Sequence, residues 1–217
     1  MYKIINLFLG CCFFLTLSPC VVKAEIAPLS NMLYFGLTAG YGATTWEGLV
    51  PAEENQNSAL AISAPIRVHE GGFMWGFFSG YEFSPYFAVE SYYRRYPTAN
   101  IKFDKDSLFS FDHRKTSFSS HTKTIGIIGK IMLIIPNTTI RVYSGAGPAV
   151  ISRQDQVNTE WRVTPSFDIG FNVELSRHFM LGLNGNYTAG YGESEIDPAK
   201  DYFPFLYSVF MSLTYRL

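Results

Sequence analysis

The sequence predicts an all-β fold, an eight-stranded antiparallel up-and-down transmembrane β-barrel. Apolar and polar residues alternate strictly along several stretches, each about as long as a tilted strand needs to be to cross a membrane. Long polar segments and short turns join these stretches alternately, as in barrels that span an outer membrane. Only 16% of the residues are charged whereas 17% are aromatic, a balance that suits a surface facing lipid.

The stretch 161–175 shows the alternation most clearly. Because successive side chains of a strand point to opposite faces, one face here is apolar and the other is polar or small. The apolar face is predicted to point outward and contains Trp161, Val163, Pro165, Phe167, Ile169, Phe171, Val173 and Leu175. The turn 176–178 leads into 179–191, which repeats the pattern, so these two stretches are predicted to form a hairpin.

Residues 1–24 are predicted to be a secretory signal peptide. Lys3 precedes an apolar run over 4–17, and a small residue stands at Ala24, where cleavage is expected. The remaining residues, 25–217, suit a single outer-membrane β-barrel domain. The chain has three cysteines, all within the leader: Cys11, Cys12 and Cys20. Disulfides are therefore not expected after cleavage; processing at Cys20 in a lipoprotein-like LSPC box is the alternative.

The other strands follow from the same alternation. Strands are predicted over 32–45, 71–83, 86–96, 121–134, 138–153, 161–175, 179–191 and 203–217. Short turns are predicted at 84–85, 135–137 and 176–178, and long extracellular loops at 46–70, 97–120, 154–160 and 192–202. An even number of strands allows the sheet to close without a free edge, which lipid would not tolerate. Both termini are then expected in the periplasm.

Aromatic residues near the predicted strand ends are interpreted as two girdles at the membrane interfaces. They are Trp46, Trp161, Tyr41, Tyr191, Tyr86 and Tyr215. A soluble lipocalin-like barrel is the alternative fold, with its apolar face lining a ligand cavity and Lys and Glu on its outer face. The polar face of this sequence consists instead of Gly, Ser, Thr and Asn with isolated charges, which favours a crowded lumen.

The predicted inward face carries charges of both signs. An ionised group in a narrow lumen loses hydration, so it needs an opposite charge or strong hydrogen-bond partners. A lumenal charge cluster is therefore the predicted site, and it contains Glu82, Glu90, Lys130, Arg141, Arg162, Asp168 and Glu174, with Arg94 and Arg216 also predicted to point inward. Eight strands leave a lumen just wide enough for side chains, which favours a static plug over a gate that opens a small pore.

The stretch GYEFSPYFAVE at 80–90 resembles the second hairpin of the OmpA-type transmembrane domain. The similarity extends to the Lys130 strand and its proline turn, to FNVE at 171–174 and to the closing SLTYR at 212–216. In that family, charges on the third, fourth and sixth strands form a salt-bridge cluster in the lumen. The resemblance implies that Glu90, Lys130 and Glu174 take those places.

The sequence departs from the OmpA-type pattern at two positions. The family's arginine on the seventh strand falls near Gly182 here, and Arg141 is the candidate to replace its charge. The last residue is Leu217, where the family usually has a terminal phenylalanine, although Tyr215 keeps the other aromatic. The resemblance implies that the outer-membrane assembly machinery recognises this C-terminal strand.

Enzymatic outer-membrane barrels, such as those that modify lipid A, form the main alternative class. Such enzymes need a Ser or Asp beside a His near the outer membrane boundary. Candidate residues at the predicted mouth of the fourth strand are Asp112, His113, Ser119, Ser120 and His121, but they match no motif of those families. We expect no enzymatic activity and no cofactor. No metal is expected either, because the four histidines lack metal-ligand spacing.

The formal net charge of −1 gives no indication of a nucleic-acid partner. The expected partners are outer-membrane lipid, lipopolysaccharide, the assembly machinery and a ligand on a host surface. The predicted protein is a monomer that crosses the outer membrane of a Gram-negative bacterium several times. Its predicted role is structural or adhesive, through its extracellular loops, with a small pore or a lipid A-modifying enzyme as alternatives.

Overall fold

The computed structural model describes residues 32–46, 65–104, 117–155, 159–190 and 202–217. They contain ten strands: β1 (Met32–Thr44), β2 (Pro65–His69), β3 (Gly71–Ser84), β4 (Phe87–Arg95), β5 (Ala99–Phe103), β6 (Ser117–Ile134), β7 (Ile140–Gln154), β8 (Thr159–Glu174), β9 (Phe179–Thr188) and β10 (Leu206–Arg216). No helix in these ranges is long and apolar enough to cross a membrane. The predicted signal peptide and parts of all four predicted loops lie outside the described residues.

Eight of the strands form a closed antiparallel barrel: β1, β3, β4, β6, β7, β8, β9 and β10. The first and last strands pair along their whole length, from Tyr34 opposite Arg216 to Thr44 opposite Leu206. On the far side of the barrel, β6 pairs with β7 and completes the circle. The predicted eight-stranded, up-and-down barrel is therefore confirmed.

The side chains of each barrel strand alternate between the outer face and the lumen as predicted. On β1, Leu37 is 66% exposed, whereas Thr38 beside it is buried. On β8, Phe167 and Ile169 are exposed, whereas Asp168 between them is 2% exposed. Because the outer face is apolar, it suits the hydrocarbon of a bilayer, and the polar residues are left to fill the lumen.

The three short turns all lie at one end of the barrel, called the turn end here, and the long connections lie at the other, the loop end. Asn137 in the second turn has φ of 61°, a backbone conformation that asparagine tolerates better than most residues. At the loop end, β9 stops at Thr188 and β10 begins at Leu206, so both strands are shorter than predicted. Pro204 lacks the N–H that would continue the ladder upstream of β10.

Two of the predicted loops, 46–70 and 97–120, contain strand residues that extend the sheet above the barrel. β5 pairs with the first residues of β6, beyond the point where β4 ends, and β2 pairs with β5. β5 alternates regularly, with Ile101 buried and Lys102 exposed. Five residues are too few for this alternation to be told from a loop in the sequence. We call β2, β5 and residues 117–120 of β6 the extracellular extension.

The inner face of the extracellular extension packs on an apolar cluster at the loop end, called the cap here. The cap consists of Trp46, Ala99, Ile101, Phe103 and Tyr202, with Val68 packed against it. The prediction that Trp46 belongs to a membrane girdle is wrong, because its side chain is fully buried and packs on Tyr202. The exposed outward side chains of Trp161, Tyr41 and Tyr86 agree with the girdle interpretation.

Candidate functional site

The lumen is filled by charged side chains in three layers, and the first lies at the turn end. Two carboxylates and two guanidinium groups meet there from four strands: Glu82, Arg141, Glu174 and Arg216. Arg141 lies 2.6 Å from Glu174 and 3.3 Å from Glu82. Arg216 lies 2.8 Å from Glu174 and 3.2 Å from Glu82. Each charge therefore contacts both charges of the opposite sign, and the group is neutral overall.

The second layer consists of a single ion pair with aromatic neighbours. Lys130 Nζ lies 2.5 Å from Glu90 Oε2, and the Tyr34 hydroxyl donates a hydrogen bond to the same oxygen at 3.1 Å. The ammonium group also lies 4.4 Å from the centre of the Tyr143 ring. Hydrogen bonding and a cation–π contact thus replace the water that these buried charges lose.

The third layer joins β4 to β8 across the barrel. The Arg94 guanidinium donates two hydrogen bonds, of 2.8 and 3.3 Å, to the carboxylate of Asp168. Asn186 donates a further hydrogen bond of 2.6 Å to Asp168. The guanidinium is enclosed by the rings of Tyr92 and Phe210, 4.0 and 4.7 Å from its central carbon. This bidentate, ring-enclosed geometry is the strongest form of Arg–carboxylate contact.

An apolar cluster lies above the third layer, among buried threonine and asparagine side chains. Tyr96, Ile151, Phe203 and Leu206 form a buried cluster that separates the charged layers from the cap. A fully buried arginine, Arg153, connects this region to the cap: it lies 2.5 Å from Asp155, donates to the Tyr202 carbonyl and stacks on Trp46.

Tyr202 holds the cap to the last residues of the β1 segment. Its hydroxyl donates a hydrogen bond to the Thr45 carbonyl. Burial raises the pKa of Tyr202 to about 12, so its hydroxyl keeps its proton, and remains a donor, even in moderately alkaline solution.

A small cavity lies between the charged layers. The cavity that the first and second layers border has a volume of about 20 Å³, with Glu82, Glu90, Lys130, Tyr143 and Asn172 among its lining residues. A site needs roughly 10–15 Å³ to hold one water molecule. This cavity therefore has room for about one water.

The structure distributes six of the seven predicted site residues among separate layers. Glu82, Arg141 and Glu174 share the first layer, Glu90 and Lys130 form the second, and Asp168 belongs to the third. Glu174 is thus apart from the Glu90–Lys130 pair, with which the family resemblance grouped it. Arg162 belongs to none of the layers, because its side chain is 41% exposed near the loop end of β8, where it lies 3.8 Å from Glu160. Its placement in the lumenal cluster was wrong.

Arg94 and Arg216 complete the third and first layers, although neither was included in the predicted cluster. The alternation of β4 and β10 already points both side chains inward, so their location was readable from the sequence. Their partners could not be predicted from the sequence. Asp168 and Glu174 are far from these arginines along the chain and approach them only across the closed barrel. Position in the chain carries no signal for such contacts.

The missing arginine of the seventh strand has a steric explanation. A Cβ atom at Gly182 would lie only 2.4 Å from Asn172 Oδ1 and 2.4 Å from Ser212 Oγ. A larger side chain at this position would therefore have to displace the side chains of Asn172 and Ser212. The positive charge near Glu174 comes instead from Arg141, as the candidate replacement, and additionally from Arg216.

Among the described residues, the candidate catalytic side chains form no hydrogen bond with one another. Ser119 hydrogen bonds to Asn100 at 2.6 Å, and His121 lies 2.9 Å from the Thr98 hydroxyl. Ser120 is buried on the opposite face of β6. Asp112 and His113 lie outside the described residues. Within the described ranges, no group of three His, Cys, Asp or Glu side chains is arranged to hold a metal ion.

A closed barrel with an apolar exterior and a charged lumen defines the class of outer-membrane β-barrel proteins. The family model for the outer membrane protein beta-barrel domain matches residues 20–202. The chain therefore belongs to this family and crosses the outer membrane several times, in line with its resemblance to the OmpA-type barrel. The short turns of such barrels face the periplasm, which places the loop end outside the cell.

Solved structures share this fold at low sequence identity. Neisserial surface protein A is 9% identical and OprG from Pseudomonas aeruginosa is 10% identical, each with a TM-score of 0.52. Both alignments cover 85% of this chain and 97% of the other. The N-terminal barrel domain of P. aeruginosa OprF is 8% identical over 88% of this chain and 100% of its own, with a TM-score of 0.49. A comparison with curated proteins gives no match.

Proposed function

We propose that this protein is a non-conducting, non-enzymatic outer-membrane barrel that supports an adhesive contact surface at the cell exterior. The observation that carries the proposal is the filling of the lumen by three successive layers of buried ion pairs. Conduction through a barrel requires a continuous file of water. The cavity of about 20 Å³ between the lower layers has room for only about one molecule.

The energy of the ion pairs supports a closed resting state. Removing one partner of a buried pair typically costs about 3–5 kcal/mol, because the charge that is left is buried without a counter-charge. A layer whose pair separated without admitting water would leave both charges in that state, and a cost of about 3 kcal/mol would limit it to roughly 1% of the molecules or less. A water path through the barrel would require all three layers and the apolar cluster above them to open together. Such a state would be far rarer still.

The alternative is a gate in which the lumenal ion pairs exchange partners and open a pore. The contacts of the first layer give little support to this alternative. Glu82 and Glu174 each contact both Arg141 and Arg216, so every charge already has two partners. Re-pairing within this group would yield no new contact to offset those that are lost. This arrangement favours a static plug.

Planar-bilayer recordings test the closed lumen. The wild-type protein is expected to produce no current steps above leakage. A variant with serine at Glu90, Arg94, Lys130 and Asp168 empties the two upper charged layers and is expected to conduct more often. Heat-modifiable electrophoretic mobility of both proteins verifies that they are folded. Regular steps from the wild-type protein, as frequent as those from the variant, would contradict the proposal.

The extracellular extension supports the adhesive role, because it provides a fixed base for the connections outside the membrane. Ala99, Ile101 and Phe103 anchor β5 through their buried side chains, and β5 pairs with both β2 and β6. Binding segments commonly lie on such rigid scaffolds. The segment 105–116 joins β5 directly to β6 and is therefore tethered at both ends to this base.

Segment exchange tests adhesion. Bacteria that produce the protein with 105–116 replaced by a Gly/Ser segment of equal length are expected to attach to host cells less than half as well as the wild type. Arg177→Ser, in an exposed turn at the periplasmic end, is the matched control and should leave attachment unchanged. Equal attachment by both variants at equal surface amounts would count against an adhesive role.

The absence of enzymatic activity is proposed from the hydrogen-bond partners of Ser119 and His121 and from the burial of Ser120 on the other face of β6. Their described contacts do not form a nucleophile–base pair, because Ser119 and His121 bond to different residues. Mass spectra of lipid A from a deletion strain and from its complemented parent are expected to be identical. Acyl-chain differences restored by complementation would instead support the lipid A-modifying alternative.

A further inference from the structure

The outward face of the sheet near the loop end carries two cross-strand pairs of like charge. Arg95 on β4 is directly opposite Lys123 on β6, and Arg67 on β2 is directly opposite Lys102 on β5. All four side chains point away from the lumen and are at least partly exposed. Like charges that face each other across a sheet are destabilising, so this arrangement calls for a counter-charge.

The described part of the chain does not supply that counter-charge. Among the described residues, no carboxylate forms a salt bridge with Arg67, Arg95, Lys102 or Lys123. Arg162, a partly exposed cation near the loop end of β8, differs from them because it has Glu160 beside it. Within the described residues, the outward face of β2, β4, β5 and β6 is therefore basic. We call it the basic face.

Arg95 and Lys123, called the lower pair here, lie at the edge of the lipid-facing surface. Arg95 is opposite Trp75 on its other side, and Trp75 is outward and 42% exposed. Two residues below Lys123 on the same face of β6, Ile125 is 57% exposed, and Ile127 follows at 55%. Tryptophan gathers at the headgroup level of membranes, and exposed isoleucines in a row mark the hydrocarbon. Arg95 and Lys123 are thus placed where lipid headgroups are.

Arg67 and Lys102, called the upper pair here, continue the basic face away from the membrane. Lys102 is opposite Ser117, six residues along β6 from Lys123. At roughly 3.4 Å per residue, the two pairs are about 20 Å apart along the strand. Between them lie exposed hydrogen-bonding side chains, Asn100, Ser119 and His121. A ligand matched to this face has anionic groups at the headgroup level and further ones above it, with sugar hydroxyls between.

We propose that the basic face binds lipopolysaccharide of the outer leaflet. The phosphates of its acylated glucosamine headgroup are held by Arg95 and Lys123, and anionic groups of its inner sugars by Arg67 and Lys102. The acyl chains of the same molecule lie along Ile125 and Ile127. Guanidinium and ammonium groups are the preferred protein partners of phosphate. This inference goes beyond the proposed function and is independent of whether the lumen conducts.

A soluble polyanion, such as a sulfated polysaccharide, is the competing occupant. It would suit the upper pair but not the lower one, because Arg95 and Lys123 adjoin hydrocarbon-facing side chains. A membrane glycolipid satisfies both the charges and the apolar surface below them. The depth of the lower pair therefore decides in favour of lipopolysaccharide.

Binding to purified lipid A tests the proposal. The folded protein in detergent is titrated with bisphosphorylated lipid A and, separately, with dephosphorylated lipid A. The R95Q/K123Q variant is expected to bind the bisphosphorylated form at least tenfold more weakly than the wild type, and the two proteins should bind the dephosphorylated form alike. R162Q/R177Q removes the same charge away from the basic face and should stay within twofold of the wild type.

Three results would overturn the proposal. One is unchanged affinity of R95Q/K123Q for bisphosphorylated lipid A. Another is an equal loss in R162Q/R177Q, which would indicate a general charge effect. The third is loss of binding to a sulfated oligosaccharide in R95Q/K123Q with lipid A binding unaltered, since this would identify the soluble polyanion as the occupant. Heat-modifiable mobility confirms folding of each variant, and attachment assays report separately on the adhesive role.

Discussion

Arg94 and Asp168 lie on opposite sides of the barrel, and two hydrogen bonds join them across the lumen. Both side chains are almost completely buried, at 3% and 1% exposure. Each therefore depends on the other for the solvation that it loses on folding. The pair links β4 to β8, two strands that are not neighbours in the sheet, and so holds the barrel wall across its width.

Asp168→Asn should destabilise the barrel strongly, because it leaves the Arg94 charge buried without its counter-charge. The expected loss in the free energy of unfolding is about 3–5 kcal/mol, measured by urea unfolding of the lipid-embedded protein. The double variant R94M/D168L removes both charges and should lie close to the wild type. A D168N protein as stable as the wild type would show that water already solvates this arginine.

Gly40→Ala should weaken the seam between β1 and β10. A Cβ atom at Gly40 would lie 2.3 Å from the Val209 carbonyl oxygen and 2.5 Å from Phe210 Cα, so the backbone has to move. The expected loss is about 1–3 kcal/mol in the same unfolding assay. Gly185→Ala is the matched control: the nearest atom there is 3.7 Å away, so stability should be nearly unchanged. Similar losses in both variants would mean that the crowding at Gly40 is not responsible.

Quenching of tryptophan emission by brominated lipids should distinguish Trp46 from Trp75 and Trp161. Trp75 and Trp161 are exposed on the outer face, whereas Trp46 is fully buried in the cap. In variants that keep one tryptophan each, brominated lipids are expected to quench the emission of Trp75 and Trp161 at least several-fold more than that of Trp46. Acrylamide should also leave Trp46 weakly quenched. Strong quenching of Trp46 by lipid would restore the rejected girdle interpretation.

The cap should loosen in alkaline solution. Burial raises the pKa of Tyr202 to about 12, above its ordinary value of 10.0, so the folded cap favours the protonated hydroxyl. Its contribution to stability is fully present below pH 10 and is lost as the pH rises through about 12. In a W75F/W161F background, Trp46 emission is expected to shift to longer wavelength between these values. The same protein with Tyr202→Phe should lack that transition, and an identical titration curve would exclude Tyr202 as its origin.

The barrel was predictable from the sequence because lipid imposes a simple rule on every spanning strand. Residues such as Phe167 and Asp168 could be assigned to opposite faces from alternation alone, and the turns at Ser84 and Asn137 follow from local chemistry. The inward direction of Glu90, Lys130 and Glu174 could be predicted for the same reason.

Contacts across the closed lumen were less predictable. Glu174 pairs with Arg141 and Arg216 rather than with Lys130, a choice that depends on the length and tilt of eight strands together. Trp46 was misassigned because its burial depends on β5 and Tyr202, which are distant in sequence. Arg162 was misassigned because alternation gives its face but not its height, and near the loop end it reaches Glu160 and solvent.

The place of Arg216 on the last strand has a consequence for biogenesis. Until β10 takes its place between β9 and β1, the first layer contains two carboxylates and only the Arg141 guanidinium, so one negative charge has no partner. Water would have to remain in the nascent lumen to solvate it. Docking of the final strand delivers the second guanidinium, which neutralises this layer and allows it to dehydrate. Closing the wall and drying the interior are thereby coupled in a single step of assembly.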